Sequence, residues 1–399
     1  MDLDFYGTLV AASLVLLAGR MIVARVSVLR NFNIPEPVAG GLLVALGLLA
    51  LRSATGTEVH FDTALQTPLM LAFFASIGLS ADLARLRSGG KALVRFLFVV
   101  VGLLVVQNIL GVSLATLLGL DPLMGLLAGS ITLSGGHGTG AAWSAVFANK
   151  YGLPSATELA VATATFGLVL GGLLGGPVAH LLLSRVKAPG AEHNADDEPQ
   201  GFEQPDHVRL ITQFSFIETL ALIAVSLLVG TALAGWIRGT PFELPTFVCV
   251  LFVGVVLRNG LEALGVHKVF EREVSLVGNV SLSLFLAMAL MSLKLWDLAA
   301  LALPIFVLLV AQAAAMALYA IFVTFRVMGR NYDAVVLAAG HCGFGLGATP
   351  TAIANMQAVT QHFGPSHLAF LVVPMVGAFF IDIANAIVIK LFLALPFIG

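Results

Sequence analysis

Charge is what this chain has least of. Charged residues make up 11% of its 399 positions, against roughly 25% in a soluble domain, too few to cover a water-facing surface. The formal net charge is only -2, so no basic excess exists to neutralise a phosphate backbone, and no nucleic-acid partner is expected. Cysteine is nearly missing as well. Cys249 and Cys342 stand in apolar or glycine-rich surroundings, which excludes a disulfide framework; His341 beside Cys342 is too few ligands for zinc. No Ser-Lys, HExxH or paired-aspartate pattern occurs in the apolar stretches, so the chain is not expected to be an enzyme, and it needs no organic cofactor. Neither a basic stretch nor a small-residue cleavage site precedes the first apolar run, which therefore reads as a retained helix rather than a signal peptide.

Apolar sequence fills the rest. Hydrophobic residues make up 59%, in recurring runs of about 20 residues, the length that crosses a bilayer core as a helix. The expected fold is an all-α polytopic membrane protein whose partner is the lipid bilayer. Helices are predicted near 5–24, 35–51, 68–83, 93–118 and 157–184, and again near 213–236, 244–261, 277–295, 299–325 and 367–395. Two apolar stretches are left over, about 122–148 and 333–361. Each is too long for an ordinary loop and is broken midway by glycines, in Ser134-Gly-Gly-His-Gly-Thr-Gly140 and Gly340-His-Cys-Gly-Phe-Gly-Leu-Gly-Ala-Thr-Pro350. A re-entrant hairpin fits such a segment better than a straight span.

The two halves repeat one another. Pro35-Glu-Pro37 opens the second span as Leu244-Pro-Thr246 opens its counterpart; Asp82-Leu-Ala-Arg-Leu86 ends the third as Asp297-Leu-Ala-Ala-Leu301 does; a glycine-rich stretch follows the fourth span in both. Residues 1–186 and 211–399 are thus predicted to be two repeats of five spans, each with one hairpin, joined by a polar linker at 187–210. Because five is odd, the second repeat must be inverted. Placing both termini outside puts fifteen of the twenty basic residues at the cytoplasmic face and leaves Arg52, Lys150, Arg238, Lys294 and Lys390 for the other, as the positive-inside rule requires. The hairpins then enter from opposite faces, and their tips can meet near the midplane.

Inverted repeats with broken helices are the plan of secondary transporters, with solute bound between the repeats. Glycine lets backbone approach a ligand, and an interrupted helix offers N–H groups and its positive dipole end to an anion. The candidate substrate-binding set is Ser134, Gly135, Gly136, His137, Gly138, Thr139, Gly140, His341, Gly343, Gly345, Gly347, Thr349, Pro350 and Thr351. For a coupling cation the candidates are Ser130, Thr132, Asp382 and Asn385; an acid in an apolar span is costly and usually functional. Each has a plainer reading: glycines pack helices, as Gly167 through Gly176 should; His137 or His341 can bond a free carbonyl; Asp382 and Asn385 can be a structural pair. Glu36 and Glu218 lie near span ends, and Glu158, Asp82 and Asp333 read as helix-terminal charges. No lysine or arginine lies well inside a span, so exposed backbone is the expected anion binder. A sodium-coupled carrier of another small carboxylate, or a passive anion channel, would share this architecture.

Gly135-Gly-His-Gly-Thr-Gly-Ala-Ala-Trp143, Gly340 through Pro350, Ile34-Pro-Glu-Pro-Val-Ala-Gly-Gly41 and Phe379-Phe-Ile-Asp-Ile-Ala-Asn385 together resemble the bacterial sodium/glutamate symporter family. The resemblance covers nearly the whole chain and is weakest in the linker. It implies sodium-coupled glutamate uptake at a bacterial inner membrane, by a homodimer with an elevator-like motion. Glutamate, sodium and the dimer come from the resemblance alone.

Overall fold

The computed structural model describes residues 2–32, 34–84, 90–153, 155–186, 210–240, 243–293, 301–396 and 398. The predicted linker, apart from Leu210, and the repeat match at Asp297 lie outside them. Among the described residues the fold is helical but for one parallel pairing of Asp2–Leu3 with His60–Phe61. In chain order come α1 (Phe5–Arg25), α2 (Glu36–Thr55), α3 (Gln66–Ser80) and α4 (Gly90–Leu117). Next are α5 (Pro122–Leu126), which runs into a π turn at Leu127–Ile131, then α6 (Gly136–Tyr151) and α7 (Ala156–Leu183). The second half has α8 (Gln213–Trp236), α9 (Thr246–Ala263), α10 (Glu271–Met291) and α11 (Ala302–Tyr319), prolonged by a π turn to Val327. It ends with α12 (Tyr332–Leu346), α13 (Thr349–Phe363), α14 (His367–Met375), a π turn at Val376–Phe380, and α15 (Ile381–Leu393).

Among the described residues, eight helices are long and apolar enough to cross a membrane, which makes this a multi-pass membrane protein. The expected spans are ten, and two of them differ in form. α3 is only 15 residues long, and the single span expected over 367–395 is α14 and α15 joined by a π turn. Pro374 lies just before that turn; with no N–H it leaves a gap in the helical ladder that local rearrangement absorbs.

The helix starts follow local chemistry. Asp4 caps α1 by accepting from the Gly7 N–H at 2.8 Å, and Thr212 and Ser215 form a reciprocal capping box on α8. Pro35 and Pro245 stand at the N-caps of α2 and α9, the matched positions of the two halves. Packing is reciprocal too: α2 packs on α10 while α9 packs on α3, and α4 meets α11. One group of helices is built from α1 to α3 and α8 to α10; α4, α7, α11, α14 and α15 gather around the two broken segments.

A buried charge ties the halves together. Arg258, in the last turns of α9, is 2% exposed and reaches Asp82 at 3.4 Å, Glu271 at 3.3 Å and Glu262 at 3.4 Å. It also donates to the Val269 carbonyl at 3.0 Å. A guanidinium removed from water is tolerated only with such partners, so Asp82 does more than end its helix.

Between membrane helices, lipid leaves little hydrophobic drive, and association depends on close packing through small residues. The stripe Gly167, Gly171 and Gly175 on α7 is such a surface. A methyl at Gly167 would run into the Leu346 carbonyl, one at Gly171 into that of Gly343, and one at Gly175 into Asn355. The plain packing reading of this stripe therefore fits, and what it packs against is the second broken segment. Gly176 faces open space. Gly167→Ala should destabilise the protein by about 1–3 kcal/mol through overpacking, read as a lower unfolding midpoint in detergent, while Gly176→Ala leaves the midpoint unchanged.

Candidate functional site

Two helix interruptions come together inside the bundle. In the first segment Gly129 leaves helical geometry, with φ -104° and ψ -136°, and its neighbours need new partners. The Ser130 N–H donates to Asn108 Oδ1 at 3.0 Å. The Ser130 hydroxyl donates to Asn385 Oδ1 at 2.6 Å, and Asn385 Nδ2 returns a bond to the Ser130 carbonyl at 2.9 Å. Thr132 donates back to the Leu127 carbonyl at 2.6 Å. The chain then turns through Ser134 and Gly135, and α6 starts at Gly136 with φ +67°, a left-handed conformation that suits glycine.

In the second segment the break is at Gly347 and the extended Ala348, between α12 and α13. α12 and α13 pack on each other, with Gly343 against the backbone of Thr351 and Ala352. The two breaks adjoin: a methyl at Gly136 would lie 3.6 Å from the Gly347 carbonyl oxygen. Two side chains join them: the Ser134 hydroxyl donates to the Gly345 carbonyl at 3.2 Å, and Gln107 reaches both. Gln107 Nε2 donates to the Gly345 carbonyl at 2.7 Å, while Gln107 Oε1 accepts from the Ser134 hydroxyl at 2.7 Å. Gln312 Nε2 in turn donates to the Gln107 carbonyl at 2.7 Å.

The α14–α15 span touches both breaks. Thr349 donates to the Gly377 carbonyl in its π turn at 2.8 Å, and Thr139 in α6 lies 3.3 Å from Asp382 Oδ1. Asp382 and Asn385, a turn apart on α15, thus both face the first segment.

The helix ends at the breaks differ from those at the outer ends of the same segments. Asp121 caps α5 through the Leu123 N–H, and Asn331 caps α12 through the Ala334 N–H. The starts of α6 and α13, where the breaks meet, have no side-chain cap. First-turn N–H groups have no partner within their helix, so two positive dipole ends sit at the junction without a protein side chain to satisfy them.

The remaining predicted residues divide. His137 Nε2 lies 3.0 Å from Thr165 Oγ1 at the junction's side. His341 is not brought to the break: it is fully buried, its Nδ1 2.9 Å from Thr324 Oγ1, among the rings of Phe96, Tyr319 and Phe344. Both histidines thus meet threonine hydroxyls rather than free carbonyls. Gly138 packs on Phe73 and Leu282, Gly140 on Thr132 and Ala160, and Gly135 under Thr139. Thr351 is buried with its hydroxyl unpartnered, and Pro350 is exposed. Gln107, Asn108 and Gln312 are the site residues that reading the glycine stretches misses. Their signal was available, since an amide in a long apolar span is rare enough to mark an interior partner.

The family model described as sodium/glutamate symporter matches residues 1–365. A protein of Escherichia coli strain K12 named sodium/glutamate symporter is 67% identical over 394 residues, 99% of this chain and 98% of that one. One of Haemophilus influenzae with the same name is 57% identical over 387 residues, 96% of each chain.

Gln107→Leu would remove the amide bonds to the Gly345 carbonyl and the Ser134 hydroxyl, leaving these two only their 3.2 Å bond to each other, at a cost of about 1–1.5 kcal/mol. Hydrogen exchange of a peptide spanning 344–349 should accelerate about tenfold in that variant. Exchange in α8, which the amide does not touch, should stay as it was.

Proposed function

We propose, from the premise that this chain belongs to the sodium/glutamate symporter family, that it takes up glutamate with sodium by alternating access at the junction of its two broken helices. The observation that carries the reading is the meeting of Gly136 with Gly347 beside two uncapped helix starts. A buried anion site built from dipoles needs no fixed cation.

In this reading the first-turn N–H groups of α6 and α13 hold the glutamate carboxylates, with Ser134, Thr139 and Thr349 at hand. Those three hydroxyls now donate to Gln107, Asp382 and Gly377, so each must turn to serve a substrate. Sodium supplies the reason. The donors near Asp382 and Asn385 are oxygens of the kind a hard cation takes, among them Ser130, Thr132 and carbonyls loosened at Gly129. A cation drawn to Asp382 competes with the Thr139 hydrogen and releases that hydroxyl for the substrate. Sodium binding first, and the coupling of two solutes, follow from one shared carboxylate.

The two segments act as re-entrant hairpins of two inverted five-span repeats, 1–186 and 211–399, with both termini outside the inner membrane of a bacterium. The reciprocal packing of α2 with α10 and α9 with α3, and the Asp121 and Asn331 caps opening each hairpin, support the repeat. The group that carries the hairpins moves, elevator-like, against the α1–α3 and α8–α10 group within a homodimer.

An imposed sodium gradient should drive labelled glutamate into proteoliposomes above its outside concentration; mere equilibration would leave a passive channel, and no sodium dependence would sink the reading. Thr139→Val and Thr349→Val should each raise the glutamate KM about tenfold or more, the value of a hydrogen bond to a charged group, with the yield of folded protein unchanged. Asp382→Asn should abolish sodium-driven accumulation.

A further inference from the structure

Away from the junction, a cavity of about 660 Å³ opens between the two helix groups. Its apolar wall includes Met70, Trp143 and Phe247, and its charged lining is Lys150, Arg238, Glu243 and Lys390. Three cations therefore face one carboxylate. Glu243 is already satisfied, accepting from Lys150 Nζ at 2.6 Å and from the Gly239 N–H at 3.1 Å. The Lys150 ammonium holds its carboxyl below the usual carboxylate range, so it stays ionised and uses up the Lys150 charge. Lys390 adds to the field on Glu243 from beyond contact distance, and among the described residues neither it nor Arg238 forms a close ion pair. On the cavity wall Trp143 is 1% exposed, yet its indole N–H has no partner. That nitrogen is itself buried, so Trp143 offers the cavity its ring, beside the two cations left over once Glu243 is paired.

We propose that this cavity is a second binding site, of lower affinity than the junction, for a small dicarboxylate such as an acidic amino acid. One carboxylate pairs with Arg238 and the other with Lys390, while the apolar stem lies along Met70, Trp143 and Phe247. Lys150, Arg238 and Lys390 are three of the five basic residues that the charge count assigns to the outer face. On the transport reading above, from which the side and the ligand class are taken, the cavity is a vestibule that collects the anion before the junction receives it. Clustered charge above low-dielectric walls raises the local concentration of an oppositely charged solute.

The chain has three tryptophans, so replacing Trp236 and Trp296 by Phe leaves Trp143 as a reporter. Full-length protein in phosphatidylcholine nanodiscs, in sodium-free buffer, is titrated with glutamate, succinate and glutamine while Trp143 emission is followed. Glutamate and succinate should give saturable changes in the millimolar range that weaken with added salt, and glutamine, with one carboxylate, a much weaker one. Arg238→Gln and Lys390→Gln should each weaken glutamate binding about fivefold, the order of one partly screened charge contact, and Lys390→Arg should restore it. A flat titration, or a response unchanged in Lys390→Gln, overturns the proposal. So does a response to phosphatidylglycerol in the disc but not to glutamate, which would make this a lipid headgroup site. Uptake by the same variants reconstituted in proteoliposomes separates the two readings: a silent cavity with normal sodium-driven uptake refutes the vestibule alone, whereas a responsive cavity without such uptake refutes the transport reading alone.

Discussion

Backbone that leaves helical form at the depth of the hydrocarbon must find every hydrogen bond inside the protein. The rest of this structure is arranged around that requirement. Gln107 answers it most directly, because one amide serves both breaks at once, donating to the Gly345 carbonyl and accepting from Ser134. Asn108 does the same for the Ser130 N–H, and Gln312 fixes the turn of α4 that presents the two amides. The hydrophobic wall around them is what makes these few bonds decisive, since an unpaired group there has no water to fall back on.

Close approach is the second half of the same solution. A broken segment has exposed carbonyls, and only a neighbour without a side chain can lie against them. The glycines of α7 cover the Leu346 and Gly343 carbonyls of α12 in this way. The second segment is thus held by packing on one side and by a side-chain amide on the other. Neither contact is chemically bonded to the helix starts at Gly136 and Thr349, which stay uncapped while the outer ends of both segments are capped by Asp121 and Asn331. The two helix starts without side-chain caps thus adjoin one another amid backbone that is otherwise well partnered.

The architecture was legible in the sequence because its signals are long. Runs of apolar residues mark the spans to within a few positions, as in α8, and glycines in apolar stretches mark the breaks. Proline before α2 and α9 marked where those helices start. The site was legible only in outline. His341 carries the same sequence signal as His137, yet one lies among aromatic rings and the other near the junction; the difference depends on which helix turn faces Thr324 or Thr165, a tertiary fact. Gln107, Asn108 and Gln312 lie outside the glycine stretches, although amides in spans of such hydropathy must have interior partners. The short α3 and the π turn before Asp382 escaped because hydropathy averages over a window and cannot register one extra residue in a turn.

That extra residue has a consequence for coupling. The π turn at Val376–Phe380 releases the Gly377 carbonyl, which Thr349 of the second segment takes, and the next turn of the same span presents Asp382 and Asn385 to the first. One span therefore holds a contact to each break by opposite chemistries, a carbonyl to one and an acid-amide pair to the other. A cation bound at the acid would change the second of these directly, and would reach the first only through a helix whose ladder is already interrupted between them. A regular helix there would transmit the shift rigidly. The π turn is a place where the two segments can respond in sequence rather than together, which ordered binding of two solutes requires.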